Sequence, residues 1–293
     1  MHKAGFVNIV GNPNVGKSTL MNQLVGEKLS IATFKAQTTR HRIMGIVNTE
    51  DSQIVFSDTP GVLKPNYKMQ EMMLQFSESA LADADILLYV TDVIEDPEKN
   101  MDFLEKVAKM SIPVILLINK IDESDQKKLG DLVTKWHGLL PNAEIFPISA
   151  KNKFGTDILL KRVHELLPES PAFFDKDQLT DKPAKFFVSE IIREKILRYY
   201  DKEIPYSVEV VVESFKEDDR QIHINAVIYV ERNSQKGIII GHQGMALKKV
   251  STEARKSLER FLDKKIFLET FVKVDKDWRN SQKELKHFGY NPE

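Results

Sequence analysis

Gly11-Asn12-Pro13-Asn14-Val15-Gly16-Lys17-Ser18-Thr19 follows directly on the apolar run Ala4-Gly5-Phe6-Val7-Asn8-Ile9-Val10. The spacing GxxxxGK[ST] is satisfied in full, and its setting, a buried strand before and an amphipathic helix after, is the one a phosphate-cradling loop needs. Glycines let the backbone curl so that successive N–H groups point inward, and the helix N-terminus adds partial positive charge. Lys17 can then reach the outer phosphates, while the Ser18 hydroxyl can ligate a magnesium ion that bridges them. The stretch implies a nucleoside triphosphate with Mg2+ and leaves the base open.

Outward from this loop, the chain of 293 residues is long enough for two domains, each with its own core. A net charge of −1 with 29% charged residues is no polyelectrolyte signature. From Lys185 onward, however, 21 Lys and Arg stand against 18 Asp and Glu, so a small basic excess sits in the C-terminal part. The absence of cysteine excludes disulfides, Cys-based zinc sites and thiol catalysis. Met1-His2-Lys3 runs straight into a strand without the pattern of a signal peptide, and the longest apolar runs, 86–90 and 114–118, are strand-length. A soluble, cytoplasmic protein is expected.

After the loop, periodicity predicts strands over 43–48, 53–58, 86–91, 113–119 and 145–149, alternating with helices over 69–81, 96–110, 129–140 and 156–167. This alternation predicts an α/β fold, a doubly wound and mostly parallel sheet over 1–168, with ligands at the C-terminal ends of its strands. The polar segment 28–42 has no period, as suits a mobile loop. Residues 169–183, rich in proline and mixed charge, read as a linker. Beyond it, helix 184–200, strands 206–215 and 222–230, helices around 241–244, strand 265–274 and a polar tail with Trp278 predict a smaller α+β domain over 184–293. Trp136 and Trp278 are expected to be packing residues.

Three short motifs lie at the ends of predicted strands. In Asp58-Thr59-Pro60-Gly61-Val62 the aspartate can hold magnesium through its water shell, and the Gly61 N–H can meet a γ-phosphate. In Asn119-Lys120-Ile121-Asp122 the last carboxylate can accept from N1 and the exocyclic amine of guanine, a pairing adenine does not offer. An unpaired carboxylate there would cost on the order of 1–3 kcal/mol or more, so ATP should be rejected. Asn119 is expected to brace the phosphate loop and the Lys120 stem to cover the base. Ser149-Ala150-Lys151 follows the last strand, with the Ala150 N–H expected on guanine O6.

Taken together, these residues resemble the small GTPases of the translation-factor class, from the N-terminus to about Leu167. Within that resemblance, Gln37-Thr38-Thr39-Arg40 is similar to the switch motif of the Era and TrmE group. The similarity implies that Thr39, with Thr38 as the alternative, ligates magnesium when GTP is bound. Where Ras-like enzymes carry the glutamine that orients the attacking water, this chain has Val62, which cannot do so through its side chain. The resemblance implies instead that Asn14 is associated with a potassium ion acting in place of an arginine finger. The expected catalytic set is therefore Asn14, Lys17, Thr39 and Gly61, with slow intrinsic turnover to GDP.

In the second half, Ile238-Ile239-Ile240-Gly241-His242-Gln243-Gly244-Met245-Ala246-Leu247-Lys248-Lys249 places an apolar segment, a GxxG turn and a basic helix in sequence. That arrangement suits single-stranded RNA: glycines admit backbone phosphates, an apolar groove takes bases, and Lys248, Lys249 and Arg255 attract phosphate. A helix-turn-helix corner would also use glycine for its own geometry. The element order is that of a type II KH domain. A GTPase domain joined to such a domain resembles the Era family, with further landmarks in Glu190-Ile191-Ile192-Arg193-Glu194-Lys195 and Val274-Asp275-Lys276-Asp277-Trp278-Arg279. The resemblance implies binding to the 3′ end of 16S rRNA and a part in 30S subunit maturation, with no DNA partner expected. Era-like turns often hold a lysine where this one has His242 and Gln243. A constitutive RNA scaffold with structural nucleotide, and a GTPase weakly peripheral to the membrane through its basic tail, are the alternative readings.

Overall fold

In the computed structural model, which describes residues 1–291, the apolar run before the glycine-rich loop becomes β1 (Lys3–Gly11). It is followed by α1 (Lys17–Val25), β2 (Ile43–Asn48), β3 (Ser52–Asp58), α2 (Lys68–Ala82), β4 (Ile86–Asp92), α3 (Met101–Ala108), β5 (Val114–Asn119), α4 (Gln126–Leu139), β6 (Glu144–Pro147) and α5 (Thr156–Leu166). The strand order is β2-β3-β1-β4-β5-β6, parallel except for β2, which runs antiparallel to β3. From β1 the chain builds first to one side, through β3, and then to the other, through β4. The order reverses at β1, and the crevice beyond such a reversal is where open α/β sheets bind ligands. The glycine-rich loop leaves from that point.

Strands β4 and β5 are almost wholly buried, and apolar up to their C-terminal ends, because helices cover them. Leu87, Tyr89, Leu116 and Ile118 form one core with Phe103, Leu104, Val107 and Trp136, all buried. Trp136 lies 5.7 Å from the Tyr89 ring, a packing role as expected. Helix α3 begins five residues later than the sequence suggests. Asp92 accepts the amides of Ile94 (3.0 Å) and Glu95 (2.8 Å), and Asp96 that of Glu98 (3.1 Å). Such local carboxylate bonds offer the backbone an alternative to helix, so 93–100 is a series of turns.

The segment 169–183, expected as a linker, is held to the sheet up to residue 181. Ile46 donates to the Leu179 carbonyl (2.8 Å), the Thr180 hydroxyl to the Met44 carbonyl (2.6 Å), and the Met44 amide to Asp181 (2.9 Å). The edge strand β2 needs partners for its outward backbone groups, and residues 179–181 supply them. Buried Gln53 anchors the same segment upstream: its carbonyl accepts the amides of Phe173 (2.7 Å) and Phe174 (3.0 Å), and its amide donates to the Phe174 carbonyl (2.8 Å). Proline and mixed charge deny this stretch a helix, not a docking site. The chain accordingly divides into one unit of Met1–Asn66 and Gln70–Asp181 and a second of Lys182–Asn291 with Tyr67–Met69.

The second unit contains α6 (Ala184–Tyr199), α7 (Ile204–Ser207), β7 (Glu209–Glu217), β8 (Gln221–Val230), α8 (Asn233–Ile240), α9 (Met245–Leu262), β9 (Lys265–Val274) and α10 (Gln282–His287). Its sheet runs β7-β8-β9, antiparallel then parallel. Residues 206–208, expected in a strand, lie instead in and after the short helix that Pro205 opens, since proline suits a first helical turn. Val188, Ile192 and Ile196 of α6 and Val250, Ala254 and Leu258 of α9 pack with Ile224 and Ile228 of β8. The tail is not a solvated appendage. Trp278 and Tyr290 are fully buried, with the indole N–H on the Ser207 carbonyl (3.3 Å) and the phenol on Glu209 (2.6 Å).

Removing the Gln53 side chain leaves two partly buried amides and one carbonyl without their partner. Gln53→Ala is expected to cost about 2–3 kcal/mol in urea titration and to open residues 173–181 to protease.

Candidate functional site

The phosphate loop is shaped by close approach. Gly16 has φ +97°, and a Cβ built there would lie 2.2 Å from Asn119 Nδ2, so no other residue fits. Asn14 takes a left-handed φ of +67°, tolerable for asparagine, and is exposed on a cavity of 390 Å³. That cavity is lined by the loop, by residues 31–35 and 37–39, and by Gly61 and Lys120. Its volume is in the range of nucleotide-sized ligand sites.

Lys17 is buried, its ammonium donating to the carbonyls of Gly11 (3.0 Å) and Asn12 (2.7 Å). Burial lowers its pKa to about 8, against the opposing pull of Asp58 and Glu95. Beside it, the Ser18 hydroxyl lies 2.7 Å from both Thr39 Oγ1 and Asp58 Oδ2, and Thr39 Oγ1 is 3.4 Å from the same carboxylate oxygen. Thr38 turns away to the Lys35 carbonyl (2.6 Å) and Thr33 (2.7 Å), so of the two threonines Thr39 is the one brought to Ser18 and Asp58. Asp58 Oδ1 is buried without a hydrogen-bond partner, and burial pushes the carboxyl's pKa up. Two hydroxyls beside a carboxylate that still has one oxygen unpartnered are a hard-oxygen set that fits Mg2+.

The motif after β3 is held tightly. Thr59 is buried with its hydroxyl on the Ile9 carbonyl (2.7 Å), and the Pro60 carbonyl accepts from Ser77 (2.8 Å). Gly61 sits against Pro13, where a Cβ would come within 2.7 Å of backbone. Val62 is 3% exposed, packed in the core, and its amide donates to the Gly11 carbonyl (3.1 Å).

At the base end, Asn119 braces the loop as expected, donating to the Val15 carbonyl (2.8 Å). Its other side-chain atom accepts the Ala150 amide (2.9 Å), so the donor expected on guanine O6 is engaged here by Asn119. Ser149 donates to one Asp122 oxygen (2.6 Å), fixing that carboxylate. Lys120, at φ +61°, reaches the Asn14 carbonyl (2.7 Å) and Asp92 (2.5 Å). Lys151 is exposed. Sequence reasoning missed Asp92 at the end of β4, Ile94 just beyond it, and the wall formed by 31–35 with its fully exposed Phe34; the segment 28–42 has no period and carries no signal for that wall.

In the second unit, Gly241 joins α8 to the turn and Gly244 opens α9. A Cβ at Gly241 would meet Ala246 at 2.6 Å, whereas at Gly244, with φ +76°, nothing lies within 4 Å. The first glycine serves packing; the second leaves backbone open to a ligand. His242 and Gln243 are exposed, Ile240 is half-buried, and Ile238 and Met245 expose apolar surface beside the turn. The three expected cations diverge. Lys249 lies 4.5 Å over the Tyr199 ring of α6, Arg255 pairs with Glu259 (2.7 Å), and Lys248 is exposed.

A family model described as 50S ribosome-binding GTPase matches residues 6–120, and one described as KH domain matches 203–279. The GTPase Era of Clostridium kluyveri is 44% identical over 292 residues, 99% of this chain and 100% of that protein. That of Geobacter sp. strain M21 is 46% identical over 98% of both. The chain belongs to the Era family. Among solved Era structures, the complex with MgGDPNP and nucleotides 1506–1542 of 16S ribosomal RNA aligns with TM-score 0.95 and 37% identity over 99% of each chain. A variant of Aquifex aeolicus Era bound to GDP and AlF4− aligns with TM-score 0.94 and 38% identity, over 98% of this chain and 99% of that one. As an Era GTPase, the protein hydrolyses GTP. Among the described residues no helix is long and apolar enough to cross a membrane.

Lys17 of this Era protein gives a pH test. Between pH 8 and 10.5 the unfolded chain holds a proton that the folded, nucleotide-free chain releases. Stability therefore rises with pH through that window, and the penalty is full below pH 8. Lys17→Met is expected to flatten this dependence and to stabilise the nucleotide-free protein by about 1–2 kcal/mol at pH 7 in urea titration. Loss of GDP binding is the expected outcome in the same variant, read by nucleotide titration.

Proposed function

We propose that this GTPase is a nucleotide-controlled switch that binds the 3′ end of 16S rRNA and serves maturation of the 30S subunit. The observation that carries the reading is the open backbone at Gly244, in a chain that aligns over 99% of its length with an Era solved with MgGDPNP and that RNA. A KH turn clamps a few nucleotides of single strand by their backbone, and the exposed Ile238 and Met245 provide apolar surface for bases. Gly244→Asp is expected to abolish binding to an RNA spanning the 3′ end while GDP affinity stays unchanged. Wild-type RNA affinity in this variant would overturn the assignment.

At the nucleotide, Gly11 to Thr19 cradle the phosphates, with Lys17 on the outer ones and Ser18 and Thr39 on Mg2+. Asp58 holds the ion's water shell, and the Gly61 amide meets the γ-phosphate. Asp122 reads guanine, Asn119 and Ser149 hold the reading groups in place, and the Lys120 stem covers the base. Held by these residues, Mg2+ would supply positive charge that neutralises the phosphates.

Val62 is sealed in the core, so no side chain at that position orders water, and we assign the charge that an arginine finger would otherwise supply to K+ beside Asn14, which is exposed on the cavity. Intrinsic turnover is slow on this reading. Replacing K+ by Na+, or Asn14→Ala, is expected to slow single-turnover GTP hydrolysis at least tenfold; indifference to both removes K+ from the mechanism.

Hydrolysis releases the segment around Thr39 and alters RNA affinity. A tenfold difference between GDP and GTP-analogue states needs only about 1.4 kcal/mol of differential contact. Equal affinities of the 3′-end RNA in the two states would favour a constitutive scaffold. The protein is placed in the cytoplasm, with any membrane contact weak, peripheral and readable by liposome sedimentation.

A further inference from the structure

Asn100 stands at the N-cap position of α3, with φ −137° and ψ 62°, yet its side chain makes no cap bond. Asparagine is among the residues best suited to that role. Here its amide N–H instead donates to the Val62 carbonyl (3.1 Å) and to the Asn12 side-chain carbonyl. The Asn12 amide in turn donates to Glu95, whose second oxygen accepts from buried Thr91 (3.0 Å). Burial raises the Glu95 pKa, with the Asn12 and Thr91 bonds opposing. Both backbone polar groups of Val62 are thus held, its N–H donating to the Gly11 carbonyl (3.1 Å) and its C=O accepting from Asn100.

We propose that Asn100 and Glu95, outside every nucleotide-binding motif, are positioning residues for GTP hydrolysis that latch Val62 to the phosphate loop through Asn12. The inference rests on reading the Gly61 amide as the γ-phosphate contact. Val62 cannot orient water itself, so the placement of the Gly61-Val62 backbone carries more of the catalysis. Gly61 is pressed against Pro13, and a displacement of Val62 moves its amide with it. Displacements of about 1 Å at a reacting centre cost on the order of a hundredfold in rate.

Serine separates the two roles of residue 100. It caps a helix as well as asparagine does, but it is too short to span Asn12 and Val62 and has no amide. Asn100→Ala and Asn100→Ser are each expected to slow single-turnover GTP hydrolysis at least tenfold, measured with K+ and Mg2+. Affinity for a non-hydrolysable GTP analogue should fall about fivefold, while GDP affinity stays within twofold. Glu95→Ala should slow hydrolysis as well, and combining it with Asn100→Ala should add little, because both act through Asn12. Wild-type hydrolysis in Asn100→Ser would reduce the residue to a helix start and overturn the proposal. So would an equal loss of GDP and analogue binding, which marks general damage to the site. A wild-type protein that discriminates neither guanine nucleotide from ATP would fail at the earlier step, the reading of the site itself.

Discussion

The GTPase unit depends on the amide of Asn119. One end donates to the Val15 carbonyl in the phosphate loop, and the other accepts the Ala150 amide beyond β6. Three stretches, 104 and 31 residues apart along the chain, are drawn to one point by a side chain 2% exposed. A buried amide left without partners would be costly, so the loop, the guanine-reading motif and the Ser-Ala-Lys turn are fixed together or not at all. Gly16 is the other half of that constraint, because only a residue lacking Cβ lets Asn119 come so close.

Charge inside this frame is arranged for a ligand. Lys17 is buried against carbonyls with its pKa lowered to about 8, and Asp58 is buried with one oxygen unpartnered. Both conditions are unfavourable for the protein alone. Phosphates would relieve the first and a hard dication the second, so that binding would recover what folding gives up at these two residues. The same economy explains why Ser18, Thr39 and Asp58 converge though they belong to three separate segments.

In the second unit the two glycines of the turn show how identical residues serve different ends. Gly241 admits Ala246, an internal packing need, while Gly244 faces open space. The cations that the sequence groups together by proximity are split by helical geometry. Lys249 lies about 100° around α9 from Lys248 and is committed to Tyr199 on α6.

Much of the protein was legible in one dimension because its chemistry is local. The GxxxxGK[ST] loop, Asp58 to Gly61, Asn119 to Asp122 and the GxxG turn each need fixed residue types at fixed spacing, and strand runs buried on both faces announce themselves by composition. By itself the sequence determined the α/β sheet, the nucleotide class, the base and the presence of a KH-like module. Only tertiary structure decided the rest, because those choices turn on what lies beside a residue rather than before or after it. The edge of β2 captured residues 179–181 and took the linker into the first unit. Asp92 and Asp96 drew the backbone into turns and delayed α3. Proximity to Ser18 and Asp58 set Thr39 apart from Thr38, and the fold brought Asn100 to the Val62 carbonyl. Hydrogen bonds between distant segments have no sequence period, so outside a motif such as the one that holds Asn119 only the fold reveals them.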